Sequence, residues 1–205
     1  MADLSTAWPA QPGFRSVNFK FNTPTQISET LSGKIRRVGL GITYYSWEIV
    51  YQNLLPLDAG TVLGYVAQAQ GPQFSFEILL PYLSYTNLPT QTENTVQLAQ
   101  TAAQGETSVS VTGAGAGENI LAAGDFFKFQ SHQKVYMTAA PCIADQSGTA
   151  TLFFTSPLTE AVPLGNTVTI DTVPFTAVLE DTETEYPINF GGITSELSFN
   201  MREVW

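Results

Sequence analysis

Reactive side chains are scarce in this sequence: it holds one cysteine, Cys142, and one histidine, His132, in 205 residues. A single cysteine excludes an intrachain disulfide. Cys142 lies between Pro141 and Ile143 with no cation beside it to favour a thiolate, so a buried, inert thiol is expected. Any Ser-His-Asp triad or histidine metal site would have to use His132. That residue stands in Gln130-Ser131-His132-Gln133, between two expected strands, where a turn position accounts for it. Cations are also few, eight Lys and Arg against eighteen Asp and Glu, for a formal charge of −10. None occurs between Arg37 and Lys128, nor between Lys134 and Arg202. Binding to phosphates depends on Lys and Arg displacing counterions, so sequence-specific nucleic-acid binding is not expected. An acidic channel wall past which DNA slides stays compatible with the charge. No apolar run approaches the roughly 20 residues that span a bilayer, so no membrane partner is expected. Met1-Ala2-Asp3 lacks the basic start and apolar stretch of a signal peptide. The expectation is a protein made in the cytosol and either kept there or assembled there into something that later leaves.

Apolar residues make up 43% of the chain and aromatics 12%, enough for a packed core. Charged residues reach 13%, against about 25% in an average soluble domain. The surface must therefore be built mainly from Thr, Ser, Gln and Asn. That profile fits a β-protein covered by neighbours, and it equally fits a weakly charged monomer.

Hydrophobic periodicity points to a mainly β chain with one helix. Residues 1–13, with Pro9, Pro12 and Gly13, read as an N-terminal arm ordered only if a neighbour binds it. Phe14, Val17, Phe19 and Phe21 mark a strand that turns at Thr23-Pro24. From Lys34 to Tyr51 the alternation is strongest, first on Leu40, Ile42 and Tyr44, then on Trp47, Ile49 and Tyr51. The change of phase predicts a β-bulge near Tyr45-Ser46; a strand buried on both faces is the alternative. Val62, Tyr65, Val66 and Ala69 form a helical stripe, with Asp58 as the expected N-cap and Gly71-Pro72 as the stop. Phe74, Phe76, Ile78 and Leu80 return as a strand.

About Pro89 to Gln104 the composition reads as a linker. Five short strands follow, around Val109, Phe127, Val135, Leu152 and Val168, and they predict a small β-barrel or sandwich. After Pro174 long strands resume at Phe175 to Leu179 and at Leu197 to Met201. The economical division is discontinuous. Residues 14–92 and 174–205 form one β-domain, and residues 97–172 form an inserted small barrel.

Candidate sites are thin. Asp125 after Gly124 fits an Asp that bonds the backbone of its own turn. Glu180, Asp181, Glu183 and Glu185 form an acidic run without the glycine of a calcium loop, and read as a solvated loop. Gly113 to Gly117 lacks the Lys-Ser or Lys-Thr and the helix of a phosphate loop. Neither a metal, a cofactor nor a catalytic residue is assigned. Lys34, Arg36 and Arg37 are the one cluster of cations. On a strand Lys34 and Arg36 share a face, and Arg37 points the other way. They either keep an edge strand soluble or pair with acidic groups of another subunit.

Ser32-Gly33-Lys34-Ile35-Arg36-Arg37, Tyr44-Tyr45-Ser46-Trp47, the helix ending Ala67-Gln68-Ala69-Gln70-Gly71, and Phe74-Ser75-Phe76 together resemble a family of bacteriophage tail proteins. Ala123-Gly124-Asp125-Phe126-Phe127-Lys128-Phe129 with Lys134-Val135-Tyr136-Met137 is similar to the inserted barrel of the same proteins. Gly148-Thr149-Ala150-Thr151-Leu152 and Val173-Pro174-Phe175 continue the likeness, which covers most of residues 26–205. The resemblance implies a tail-tube-like β-fold and a structural role in the virion, in a ring of the tail tip or baseplate. A distal tail protein is one member of that class. The implied partners are further copies of the chain, generally six to a ring, the tail tube, and hub or fibre proteins. It carries no catalytic residues. A module that attaches to host-surface glycan is the second reading. Of the three tryptophans, Trp8, Trp47 and Trp205, none lies in the expected barrel, which counts against a glycan platform there.

Overall fold

The computed structural model describes residues 2–4, 7–39, 41–86, 88, 96–187 and 194–205. The chain is mainly β, with one α-helix among the described residues. Its first part holds β1 (Ala2–Asp3), β2 (Ser16–Asn22), β3 (Thr25–Glu29), β4 (Ile35–Gly39), β5 (Tyr44–Leu54), α1 (Pro56–Ala69) and β6 (Phe74–Ile78). The middle holds β7 (Gln97–Leu98), β8 (Ser108–Thr112), β9 (Asn119–Leu121), β10 (Phe126–Phe129), β11 (Val135–Met137), β12 (Cys142–Ile143), β13 (Thr149–Phe153) and β14 (Val168–Thr169). β15 (Phe175–Leu179) and β16 (Thr194–Glu203) close it.

A six-stranded sheet in the order β1-β6-β15-β16-β5-β2 organises the first and last parts. All its pairings are antiparallel except β1 with β6. β5 is its backbone: Tyr45, Trp47, Ile49 and Tyr51 are buried on one face, as side chains two apart on a strand should be. The register of β5 against both β2 and β16 runs without a shift. The phase change at Tyr45-Ser46 is therefore not a bulge. The stretch expected as one strand is two strands in different sheets, broken at Gly41, whose φ of 72° ends the extended run. Ile42 lies exposed between them, and Leu40 lies outside the described residues. β15 is buried at all five positions, as a central strand covered on both faces requires.

Helix α1 lays Ala59, Val62, Tyr65, Val66 and Ala69 on the core, the expected stripe. Asp58 is not its cap. The N-cap is Leu55, without a side-chain bond, and Pro56 opens the first turn. Proline suits that position because its fixed φ is already helical and it brings no unpaired N–H. Asp58 lies within the first turn, where its charge meets the positive end of the helix dipole. Gln70, in the left-handed conformation, caps the other end.

Residues 7–13 are not an arm that waits for a neighbour. Trp8 is buried against Tyr65, Phe76 and Phe199, and its Nε1 donates to the Tyr51 hydroxyl at 2.8 Å. The Leu4 and Trp8 N–H groups donate to the Ser75 and Glu77 carbonyls, which covers the outer edge of β6.

The middle of the chain has its own core, with Val109, Val111, Phe127, Phe129, Tyr136 and Leu152 among its members. Three small antiparallel sheets surround it, β11-β10-β14, β12-β9 and β13-β8-β7. Eight strands stand where alternation indicated five; the three not indicated are β7, β9 and β12. The second half of the expected linker belongs to this core: Val96, Leu98 and Ala102 are buried in it. Residues 89–95 of that linker lie outside the described residues. Phe126 and Val135, although in the middle of the chain, belong to the core of the large sheet. Phe126 packs within 5.6 Å, centroid to centroid, of Phe19, Tyr45 and Phe175. Phe126 thus seats the middle of the chain on the core of the large sheet.

Candidate functional site

Lys34, Arg36 and Arg37 sit on a two-stranded ribbon. β3 and β4 pair from Thr25 opposite Gly39 to Glu29 opposite Ile35, with no third strand among the described residues. The Thr30–Lys34 turn is closed by backbone bonds between Thr30 and Lys34 and between Gly33 and Thr30. Every residue of both strands is exposed. Ile27, Leu31, Ile35 and Val38 are apolar side chains in water, Ile27 at 67% and Leu31 fully. One face of the ribbon carries Ile27, Arg37 and Ile35; the other carries Arg36 and Val38. Among the described residues none of the three cations pairs with a carboxylate. An isolated two-stranded ribbon is at best marginally stable in water, and this one exposes apolar groups on both faces.

The ribbon leaves the large sheet where Asn22 pairs with Tyr44. Beyond the end of β15, alongside β16 from Glu196 to Asn200, lies a polar groove of about 330 Å³. Asp181, Glu183, Glu185, Glu196, Ser198 and Asn200 line it, while Leu179 and Phe199 border it with side chains buried in the core of the sheet. The acidic run expected as a solvated loop thus forms the wall of a groove. Asp181 accepts a bond from Asn200 Nδ2 at 2.9 Å, and Glu196 lies 4.0 Å from Arg15. Glu183 and Glu185 are exposed.

A second, apolar cleft of about 530 Å³ lies between the N-terminal segment and the end of β6, lined by residues including Trp8, Pro9, Phe14, Ile78 and Pro81.

The scarce reactive groups are placed in structural roles. His132 is buried, with Nδ1 3.0 Å from the Tyr136 hydroxyl. Burial lowers its pKa, opposed by the charge of Glu160. The Cys142 thiol is buried and pushed up to about 11 by desolvation, which makes it a poor nucleophile at neutral pH. Asp125 is buried and accepts bonds from the Ala122 N–H and the Thr86 hydroxyl, as a turn aspartate should. No group of three or more His, Cys, Asp or Glu that could hold a metal occurs among the described residues. Among the described residues no helix is long and apolar enough to cross a membrane. Trp8 and Trp47 are buried, and Trp205 lies over Lys134 with the ammonium 4.0 Å from its ring centroid.

Sequence reading missed the most unusual charge arrangement. Lys134 and Glu203 are an ion pair at 3.1 Å with both side chains fully buried. The Lys134 ammonium also donates to the Thr43 carbonyl at 2.6 Å. Glu203 accepts from the backbone N–H groups of Val135 and Tyr45. Burial lowers the lysine pKa, opposed by Glu203, and raises that of the glutamate, opposed by Lys134. The pair ties β11 to the end of β16 and to the start of β5, next to the root of the ribbon. Its one legible signal was Lys134 opening an apolar strand.

No protein-family model matches the chain, and no curated protein matches it.

Proposed function

We propose that the chain is a virion structural protein that forms a ring in a bacteriophage tail tip or baseplate. It joins the tail tube to hub or fibre proteins and lines the path of the DNA. The observation that carries the reading is the exposed β3–β4 ribbon on an otherwise well-packed body. Its uncovered apolar side chains and unpaired cations are what a protein keeps for a neighbour, since a free ribbon of this kind gains nothing from them. The resemblance of Ser32 to Arg37 and of the segments after it to phage tail proteins supplies the class of assembly. The charge distribution fits a DNA path. The ribbon holds three cations against Glu29, so the rest of the chain holds five cations against seventeen carboxylates. Such a body repels phosphates rather than binding them. His132, Cys142 and Asp125 take structural roles, and we read the chain as an assembly protein rather than an enzyme.

Electron microscopy of phage particles with an epitope label on this chain tests the proposal. The label is expected in one ring near the end of the tail. A label scattered along the tail, or absent from the particles, refutes it.

A further inference from the structure

The β3–β4 ribbon hangs from the body by a two-legged joint, Thr23 and Pro24 on the way out and residues 40–43 on the way back. The joint lies between the Asn22–Tyr44 pair of the large sheet and the Thr25–Gly39 pair of the ribbon. Its returning leg contains Gly41 in the left-handed conformation, a residue type that the backbone leaves free to adopt many others. Among the described residues, one hydrogen bond reaches this joint from the body: the Lys134 ammonium donates to the Thr43 carbonyl at 2.6 Å. That ammonium is itself fixed. Glu203, at the end of β16, holds it at 3.1 Å, and both side chains are fully buried. The rings of Trp205, Tyr45 and Tyr136 lie 4.0, 5.4 and 5.9 Å from it, centroid to nitrogen. The Glu203 carboxylate accepts from the Tyr45 N–H on one oxygen and from the Val135 N–H on the other. Thr43 and Tyr45, on either side of the first residue of β5, are thus pinned by one ion pair. Half of that pair comes from the middle of the chain.

We propose that the Lys134–Glu203 pair is a clamp that sets the pose of the ribbon, so that the seating of the middle of the chain on the large sheet decides where the ribbon points. The inference concerns the chain by itself and holds whatever the ribbon meets; it does not rest on the ring reading above. Lys134 is the positioning residue, Glu203 orients it, and Gly41 is the pivot. A charge-assisted bond shut off from water is stronger than an exposed one, and this one acts at the base of a lever. Each ribbon strand has five residues. At about 3.4 Å per residue, with the turn added, Leu31 lies roughly 20 Å from the joint, and a swing of about 30° moves it roughly 10 Å. With the clamp closed, Ile27, Leu31, Ile35 and Val38 are presented in one direction. A partner then need not freeze the ribbon on binding, an ordering penalty that otherwise weakens association. Lys134 directly precedes β11, which pairs with β10, and Phe126 and Val135 of those strands pack in the core of the large sheet. A displacement of these strands from that core withdraws the ammonium from Thr43 and frees the joint.

The test places nitroxide labels on the full chain through Ser32→Cys in the ribbon turn and Thr61→Cys on α1, and reads their separation by pulsed double electron–electron resonance at pH 8. Both positions are exposed. Cys142 is buried and should stay unlabelled, which mass spectrometry checks. The labelled parent is expected to give one narrow distance distribution, and Lys134→Met one at least about twofold broader, because it removes the bond to Thr43. Adding Glu203→Gln to Lys134→Met recovers stability without restoring that bond. The double variant should therefore unfold at a higher urea concentration than the single one and stay as broad. Trp8→Ala empties a site against Tyr65, Phe76 and Phe199, away from the joint, so it should lower stability and keep the parent's width. Four results overturn the clamp: a parent already broad, a Lys134→Met distribution as narrow as the parent's, a double variant that narrows again, or a Trp8→Ala variant as broad as Lys134→Met. Should Lys134→Met alone fail to fold, the double variant carries the comparison with the parent.

Discussion

Replacing Lys134 by methionine takes the cation out of a fully buried ion pair while keeping most of the side-chain volume. Glu203 would then hold its charge with the Val135 and Tyr45 N–H groups alone. Removing one partner of a buried pair typically costs about 3–5 kcal/mol. The two remaining backbone donors place the expected loss near the lower end, about 3 kcal/mol at pH 8. The loss should depend on pH, with a sign fixed by the direction of the Glu203 shift. Burial already raises the folded pKa of Glu203, and losing the neighbouring ammonium raises it further. A carboxyl with a raised folded pKa contributes stability that is fully present below its unfolded pKa, about 4.3. That stability is lost as pH rises through the folded value. At pH 4 the variant should therefore trail the parent by only about 1 kcal/mol, for the lost bond to the Thr43 carbonyl, and the gap should widen towards pH 8. Adding Glu203→Gln removes the stranded charge, keeps an oxygen for one of the two N–H donors, which bond different carboxylate oxygens, and should recover part of the loss and flatten its pH dependence. Urea unfolding of the parent, the single and the double variant at pH 4, 6 and 8 measures this. A single variant that loses under about 1 kcal/mol at pH 8, or whose deficit shrinks with rising pH, refutes the account of the pair.

Trp8→Ala should cost about 3–5 kcal/mol, since it empties a buried site and leaves the Tyr51 hydroxyl without its donor; thermal unfolding checks it, and a cost within error of zero would show the N-terminal segment to be dispensable. His132 has a lowered folded pKa, so its contribution is present above its unfolded pKa, about 6.5, and is lost as pH falls. His132→Gln should therefore flatten the stability profile below about pH 6.5, read by urea midpoints at half-unit steps. Excising residues 97–172 for a short Gly-Ser linker adds little closure cost, because that cost grows slowly with loop length. It does remove Phe126, Val135 and Lys134 from the sheet core. The excised chain should accordingly unfold at a higher urea concentration with Glu203→Gln than without it, and equal midpoints would count against the Lys134–Glu203 coupling of the two cores.

What the sequence determined by itself is what burial on one face imprints locally. Alternation at Phe76 and Ile78 and at Leu197, Phe199 and Met201, and the 3.6-residue stripe from Val62 to Ala69, record which side of an element is covered. They identified the main strands of the large sheet and its helix. The exposed Arg36 and Arg37 were equally legible, because their strand carries polar groups on both faces, whereas Lys34, expected to share a strand face with Arg36, stands in the turn. What covers each face is not imprinted. Phe126 and Phe127 are adjacent in sequence and alike in type, yet pairing in β10 sends them to different cores. Lys134 is buried because Glu203, 69 residues away, meets it, and nothing around Lys134 announces that partner. Trp8 reads as part of a proline-rich arm until Tyr51 and Phe199 are brought over it. The same limit produced the expected bulge. A left-handed glycine at 41 separates two strands of different sheets, and a local pattern cannot tell a break between strands from a shift within one.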